Sequence, residues 1–251
     1  VSGGVLELVV ASEQGAAENT SRARAVRDRL KHMTSSTDWH AWHRGYADPG
    51  SSLSRRLATV RGELTRVLAA RQGLPTRLVS ICAGDGRDTL PVLADGHTDV
   101  AAVLLELDRT LADTARREAV RLGLLDVEVR TADAGRLDSY AGLPPADVFL
   151  ACGVFGNITD EDLTTTVAAL PQLLAAGATV LWTRGSRAGE HDPTRYTGDA
   201  ADLVREVFVR HGFTEESFIR PNDAPFRVGT HRFRGTPGRS QSGTVMFRFA
   251  R

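Results

Sequence analysis

The stretch ICAGDGRD, Ile81 to Asp88, places two glycines and two carboxylates directly after an apolar run. A GxG turn of this kind either reverses the chain or lets a ligand approach bare backbone. The charges narrow the choice of ligand. Asp85 lies inside the loop and Asp88 follows it, and a unit charge pair at about 4 Å is worth on the order of 4 kcal/mol at an effective dielectric near 20. A phosphate seeking backbone N–H groups and a helix N-terminus is disfavoured there, and a cation is favoured. A dinucleotide fingerprint also requires a third glycine where this chain has Thr89.

Two further acids fall at the ends of apolar runs. Glu106 and Asp108, in VLLELDRT, follow Gly86 by about twenty residues, the separation at which an acid on a neighbouring strand accepts ribose hydroxyls. Glu106 suits that task, and Asp108 suits the N-cap of the helix that follows. Asp133, in RTADAG, can accept a hydrogen bond from an adenine amino group.

A different chemistry is concentrated in DWHAWHRGY. Trp39, Trp42 and Tyr46 supply amphipathic area, and His40 and His43 titrate near neutrality, as a pocket for an aromatic or heterocyclic acceptor requires. The same spacing also suits one helical face that docks against the body of the protein. The histidine pair lacks a nearby third ligand and the i, i+4 spacing of a metal site. His191 and Tyr196 lie in the polar run TRGSRAGEHDPTRYTGD, in which Ser186, His191 and Asp192 stand too close in sequence for a hydrolase triad. No G-x-S-x-G elbow occurs. Arg55 and Arg56 can reach a carboxylate or line a solvated helix face. Cys82 and Cys152, on strands expected to be neighbours, read as small packing residues.

The elements that position these groups follow from periodicity. Apolar residues at helical spacing run from Ser21 to Leu30 and from Leu53 to Ala70. After Pro75, strands RLVSIC, AAVLLELD, VEVRTAD, ADVFLACG and ATVLWTRG alternate with helices, among them Arg109 to Leu122, Asp160 to Leu174 with a stop at Gly177, and Asp199 to His211. Two more strands are expected near TEESFIRP and TVMFRFAR as an antiparallel pair, with PNDAPFRVGTHRFRG as a turn-rich cover between them. The expected architecture is α/β, a doubly wound, mostly parallel seven-stranded sheet with an N-terminal helical lid. Residues 1–20 form an arm, 21–74 the lid and 75–251 the core.

Composition bounds the partners. Basic and acidic residues balance at 31 each, so no net field draws the chain to nucleic acid or a membrane surface. No run has the length of a membrane span. A cytoplasmic protein acting on a small molecule, as monomer or homodimer, is the expectation.

From Arg77 to Trp182, on VSICAGDGRD, LELD, TADAG and ADVFLACGVFGN, the chain resembles the class I S-adenosylmethionine-dependent methyltransferases of Rossmann-like fold. The resemblance implies that Gly84 and Gly86 face the methionine and ribose of the cofactor, Glu106 the ribose hydroxyls and Asp133 the adenine. Cys82, Leu107, Ala134 and Gly153 border the same site, and Phe155 is positioned either to stack on the adenine or to pack in the core. Ser80 and Cys82 stand where the family has an acid and a first glycine, which leaves Asp85 or Asp88 to hold the methionine ammonium. Asn157 is placed to bond cofactor or acceptor. The implied activity is methyl transfer to an oxygen or nitrogen nucleophile of a small molecule, with His43, His40 or His191 as base if one is needed and Trp39, Trp42, Tyr46 and Tyr196 around the acceptor. Aminobutyl transfer or cyclisation on the same fold, and cofactor binding without catalysis, are the alternatives.

Overall fold

The computed structural model describes residues 46, 48–185, 198–238 and 242–249. In chain order these form α1 (Ser52–Ala69), β1 (Thr76–Ile81), α2 (Leu90–Ala94), β2 (Val100–Glu106), α3 (Arg109–Arg121) and β3 (Val127–Thr131). They continue with β4 (Ala146–Ala151), α4 (Asp160–Ala169), β5 (Leu174–Gly185), α5 (Ala200–Arg210), β6 (Phe213–Ile219) and β7 (Phe226–Phe233). The strands make one sheet in the order β3-β2-β1-β4-β5-β7-β6. The first five pair in parallel, and β7 runs antiparallel between β5 and β6. The winding changes direction between β1 and β4, and in such sheets the ligand crevice opens beyond the strands' carboxyl ends at that point.

Local sequence explains the element ends. Ser51 caps α1 by accepting from the Ser54 N–H at 3.1 Å, and Thr159 caps α4 by accepting from Asp162 at 3.0 Å. Asp160, Glu161 and Asp162 fill the first turn of α4, where negative charge complements the helix dipole. Both faces of the sheet are covered. Leu78, Leu104, Val148 and Leu181 pack with Val60, Leu64 and Leu68 of α1, Leu90 of α2 and Ala115 of α3. On the opposite face Phe149, Val180 and Trp182 pack with Leu163 and Val167 of α4 and Val204 and Phe208 of α5. Burial on two faces accounts for the continuous apolar runs of the central strands.

The structure corrects the expected boundaries in four places. Helix α1, read as part of a lid up to residue 74, is a layer of the core, because Val60, Leu64, Val67 and Leu68 are buried against the sheet. The arm, and residues 21–45 of the lid, lie outside the described residues. Helix α4 ends at Ala169, five residues earlier than read; Leu170–Gln172 forms a 3-10 turn containing Pro171, and Gly177, expected as a helix stop, lies inside β5 with φ of 73°. The pairing of β5 with β4 shifts register over that stretch, which is the bulge a left-handed glycine permits. Finally, the seventh strand is FRVGTHRF, from the segment read as a cover, and not TVMFRFAR. Gly229 makes this possible: a Cβ there would stand 2.3 Å from the Trp182 ring.

Residues 243–248 form a strap across the loop that follows β3. Met246 N–H donates to the Gly135 carbonyl at 2.7 Å and Leu137 N–H to Thr244 at 3.0 Å. Gly243 N–H reaches the Asp138 carboxylate at 2.9 Å, and the Thr166 hydroxyl on α4 holds the Met246 carbonyl at 3.1 Å. Gly135 has no room for a side chain, since a Cβ would meet the Phe247 carbonyl at 2.3 Å.

One titratable group lies deep in the core. His231 on β7 is fully buried against Trp182 and Phe208, and its Nδ1 accepts the Trp182 Nε1–H at 3.1 Å. The proton of neutral His231 therefore resides on Nε2, 3.8 Å from Glu215. Burial lowers its pKa to about 4. The unfolded chain, whose histidine titrates near 6.5, takes up a proton that the folded chain refuses, so this contribution to stability is complete above about pH 7 and is lost as pH falls toward 4. Between pH 7 and 5 the loss should be about 2 kcal/mol. His231→Gln, which keeps an acceptor for Trp182, should flatten that part of the profile, as read by denaturant midpoints at the two pH values; an equally steep loss in the variant would remove His231 as the cause.

Candidate functional site

The loop after β1 is where the sequence concentrates chemistry, and its backbone is unusual. Gly84 and Gly86 have φ of 58° and 76°, and Cys82 also lies in the left-handed region at 49°. Gly86 is pressed onto the sheet: a Cβ would stand 2.6 Å from Leu90 Cδ1 and 3.1 Å from Leu104 Cδ2. The loop is fastened to the next strand by one carboxylate. Glu106 Oε2 accepts the Gly84 N–H at 2.7 Å, and Oε1 accepts the Asp108 N–H at 2.8 Å. Asp108 in turn caps α3 through the Leu111 N–H at 3.0 Å. The two acids of LELD therefore divide the work, Glu106 across strand ends and Asp108 on the helix.

The two loop carboxylates have different surroundings. Asp85, read as a holder of a cationic ligand, is paired with the guanidinium of Arg87, two residues on; Arg87 Nε donates to Asp85 Oδ1 at 2.8 Å. Its charge is met within the chain, which leaves Asp88 to repel a phosphate. Asp88 has the Thr89 hydroxyl at 3.1 Å and makes no ion pair among the described residues. Burial raises its pKa, against the hydrogen bond from Thr89 and the charge of Arg56. Helix α2, behind the loop, has five residues, too few to offer a phosphate much of a dipole.

Helix α1 and Tyr46 buttress this loop. Arg61 Nε donates to the Arg87 carbonyl at 2.8 Å. Arg56 Nη2 donates to the Tyr46 hydroxyl at 2.6 Å, and the Tyr46 ring lies under the Arg87 guanidinium at 4.3 Å. Burial raises the Tyr46 pKa. Arg55, by contrast, faces outward and pairs with Asp223 at 2.7 Å. Of the aromatic and histidine run, Tyr46 alone is described, and it stands against the glycine loop. Trp39, His40, Trp42 and His43 lie outside the described residues, as do His191 and Tyr196.

The next strand ends complete a row. Leu107, directly after β2, is 63% exposed, an apolar surface beside Glu106. Asp133, after β3, turns its Oδ1 back to the Gly135 N–H at 2.9 Å, and its own carbonyl takes the Ser139 hydroxyl at 2.6 Å. Ala134 is buried, and its carbonyl accepts from Tyr140 at 2.8 Å. Burial pushes the Cys82 thiol up, and the charges of Glu106 and Asp133 push it further, so it stays protonated between two acids.

The loop after β4 closes on itself. Asn157 Nδ2 donates to the Gly153 carbonyl at 2.7 Å, and the Gly153 N–H donates to Thr183 Oγ1 on β5 at 2.8 Å. Phe155, offered as an adenine stacker, is fully buried with Trp182 at 6.3 Å and Phe208 at 6.0 Å between ring centroids. It is a core residue and cannot stack on a ligand in the crevice. Cys82 and Cys152 pack into different clusters, one on each face of the sheet. No cluster of three or more metal-ligating side chains occurs among the described residues. The residue that sequence reasoning passed over is Arg184, at the carboxyl end of β5, a charged residue inside ATVLWTRG that is 8% exposed. Its signal was a single basic residue ending an apolar strand.

No family model matches the chain, and neither does any curated protein. Solved structures do. Magnesium protoporphyrin IX methyltransferase (ChlM) from Synechocystis PCC 6803 with bound SAM is 16% identical over 82% of this chain and 96% of that one, with a TM-score of 0.57. An O-methyltransferase family 2 protein from Planctomyces limnophilus, in complex with apigenin, is 19% identical over 72% of this chain and 59% of that one, at a TM-score of 0.53. The cyclase SpnF is 16% identical over 68% and 80%, at 0.52. At such identities the likeness is one of architecture, and on it the chain has the fold of the class I S-adenosylmethionine-dependent methyltransferases.

Proposed function

We propose that this chain binds S-adenosylmethionine beyond the carboxyl ends of β1, β2 and β3 and directs its methyl group to an oxygen or nitrogen nucleophile of a small molecule. The observation that carries the reading is the row of acids around a left-handed glycine loop: Asp88 half-buried without an ion pair among the described residues, Glu106 at the end of β2 and Asp133 after the end of β3. The donor set fits the group. A cationic ammonium suits Asp88, since a positive neighbour restores the ionised form that burial disfavours. Glu106, with its oxygens already turned to the loop, can accept from ribose hydroxyls through its remaining lone pairs. Asp133 suits the adenine amino group, and exposed Leu107 the face of the base.

When bound, the sulfonium supplies an electrophilic methyl group and a good leaving group. The protein's share is then alignment and exclusion of water. A base, where the nucleophile needs one, is not a described histidine: His97 precedes β2, His211 follows α5 and His231 is in the core. His43, His40 and His191 remain the proposed bases, with Trp39, Trp42, Tyr46, Asn157 and Tyr196 proposed around the acceptor. A second reading, non-methyl chemistry on the same scaffold, is favoured by the likeness to the cyclase SpnF. Product analysis separates them, because S-adenosylhomocysteine marks methyl transfer, methylthioadenosine marks aminobutyl transfer, and a product isomeric with its substrate, formed with the cofactor unconsumed, marks cyclisation.

Calorimetric titration with S-adenosylhomocysteine and NAD should show binding of the first and not the second; tighter binding of NAD would end the reading. Asp88→Asn, which keeps shape and removes charge, should weaken S-adenosylhomocysteine by roughly 10- to 150-fold, the worth of a hydrogen bond to a charged group. Unchanged affinity in the folded variant would assign the ammonium elsewhere.

Glu106 should behave differently. Because its carboxylate satisfies two backbone N–H groups, Glu106→Ala should lower folding stability by about 2 to 4 kcal/mol as well as cofactor affinity. Denaturant unfolding checks this, and a variant of unchanged stability would show that the tie to Gly84 is dispensable.

A further inference from the structure

Arg184 is the least satisfied charged side chain in the described core. It is 8% exposed, and Nη2 donates to Asp160 Oδ1 at 3.2 Å, while Nε and Nη1 are buried with no hydrogen-bond partner among the described residues. Its neighbour in the sheet shows what a settled arginine looks like there. Arg227, opposite Arg184 in the pairing of β5 with β7, donates from Nε to Asp199 at 2.6 Å and from Nη1 to the carbonyls of Ala224 and Phe226 at 2.9 and 2.7 Å. Two arginines side by side therefore differ in one respect: Arg227 has no buried donor left unpaired, and Arg184 holds two in reserve.

Buried polar groups are almost always paired, and an exception calls for a partner the structure lacks. A guanidinium can only donate and is always charged, so the partner that suits its fork best is an oxyanion. The position fits the acceptor better than the cofactor. Arg184 is the penultimate residue of β5, two strands away from the glycine loop, beside the loop after β4 that Thr183 holds at Gly153. The first turn of α4, Asp160 to Asp162, is acidic and lies against it, which opposes a doubly charged phosphate and tolerates a single charge.

We propose that Arg184 anchors a carboxylate of the acceptor at the carboxyl end of β5; this deepens the methyl-transfer reading and rests on it. The anchored carboxylate is a handle and not the nucleophile, because a guanidinium draws off the electron density that an attacking oxygen needs. The methyl group then goes to a second heteroatom of the same molecule.

The test uses the whole chain with S-adenosylhomocysteine present and reads the Arg184 Nε–H resonance in nitrogen–proton NMR spectra, assigned by its loss in Arg184→Lys. Benzoate should shift that resonance in a saturable way, benzamide should not, and phenyl phosphate should bind more weakly than benzoate. Arg184→Met should abolish the benzoate response, followed by calorimetry, while leaving S-adenosylhomocysteine affinity unchanged. If Arg184→Met fails to fold, Arg184→Lys should weaken benzoate by about tenfold, since a lysine lacks the planar fork. Equal responses to benzoate and benzamide, no response to benzoate, a preference for phenyl phosphate, or undiminished benzoate binding in the folded variant would each overturn the proposal. Failure to bind S-adenosylhomocysteine would instead strike the cofactor reading, and the benzoate comparison would still stand.

Discussion

The site hangs on one carboxylate. Glu106 accepts the N–H of Gly84 with one oxygen and the N–H of Asp108 with the other, joining the turn after β1 to the start of α3 across two neighbouring strand ends. A left-handed glycine turn does not choose its orientation unaided, because glycine carries more backbone freedom than any other residue. The Glu106 bond, the close seat of Gly86 on Leu90 and the Arg61 bond to the Arg87 carbonyl remove that freedom together. Asp88 follows this turn directly, so its half-buried place depends on the same fastening.

Charge within the site is arranged by subtraction. The loop carries two acids, and Arg87 cancels the first within a span of two residues while the Tyr46 ring supports the guanidinium from below. What the crevice offers a ligand is thus set less by how many carboxylates the loop contains than by which of them makes no ion pair among the described residues. On β5 and β7 the same logic holds with the signs reversed: Arg227 is spent on Asp199, and Arg184 keeps two donors.

The parallel half of the sheet was legible in the sequence because burial on both faces writes itself as unbroken apolar runs, and RLVSIC, AAVLLELD and ADVFLACG all lie where they were read. The antiparallel half was legible only in part: TEESFIRP lies on β6 and the last pair is antiparallel as expected, but β7 was missed. FRVGTHRF contains a glycine, a histidine and two arginines, and what makes it a strand is the close fit of Gly229 to Trp182 and of His231 to the aromatic cluster. TVMFRF alternates like a strand but makes only a single bridge, Val245 to Arg136. In the site, the strand-end acids could be read from spacing, whereas the Asp85–Arg87 pair, the burial of Phe155 and the orphaned donors of Arg184 are tertiary facts that spacing does not encode.

The strap has a consequence for the order of folding. The loop bearing Asp133 is closed by contacts between residues as far apart as Asp138 and Gly243, a separation of 105 positions. Contacts of such long span cost more chain entropy to close and tend to come late, after the local pairings of β1 to β3. A chain can thus own a complete parallel sheet before the loop at the end of β3 has settled. By the same token, release of residues 243–248 is a route by which that corner of the crevice can loosen locally while the sheet stays intact.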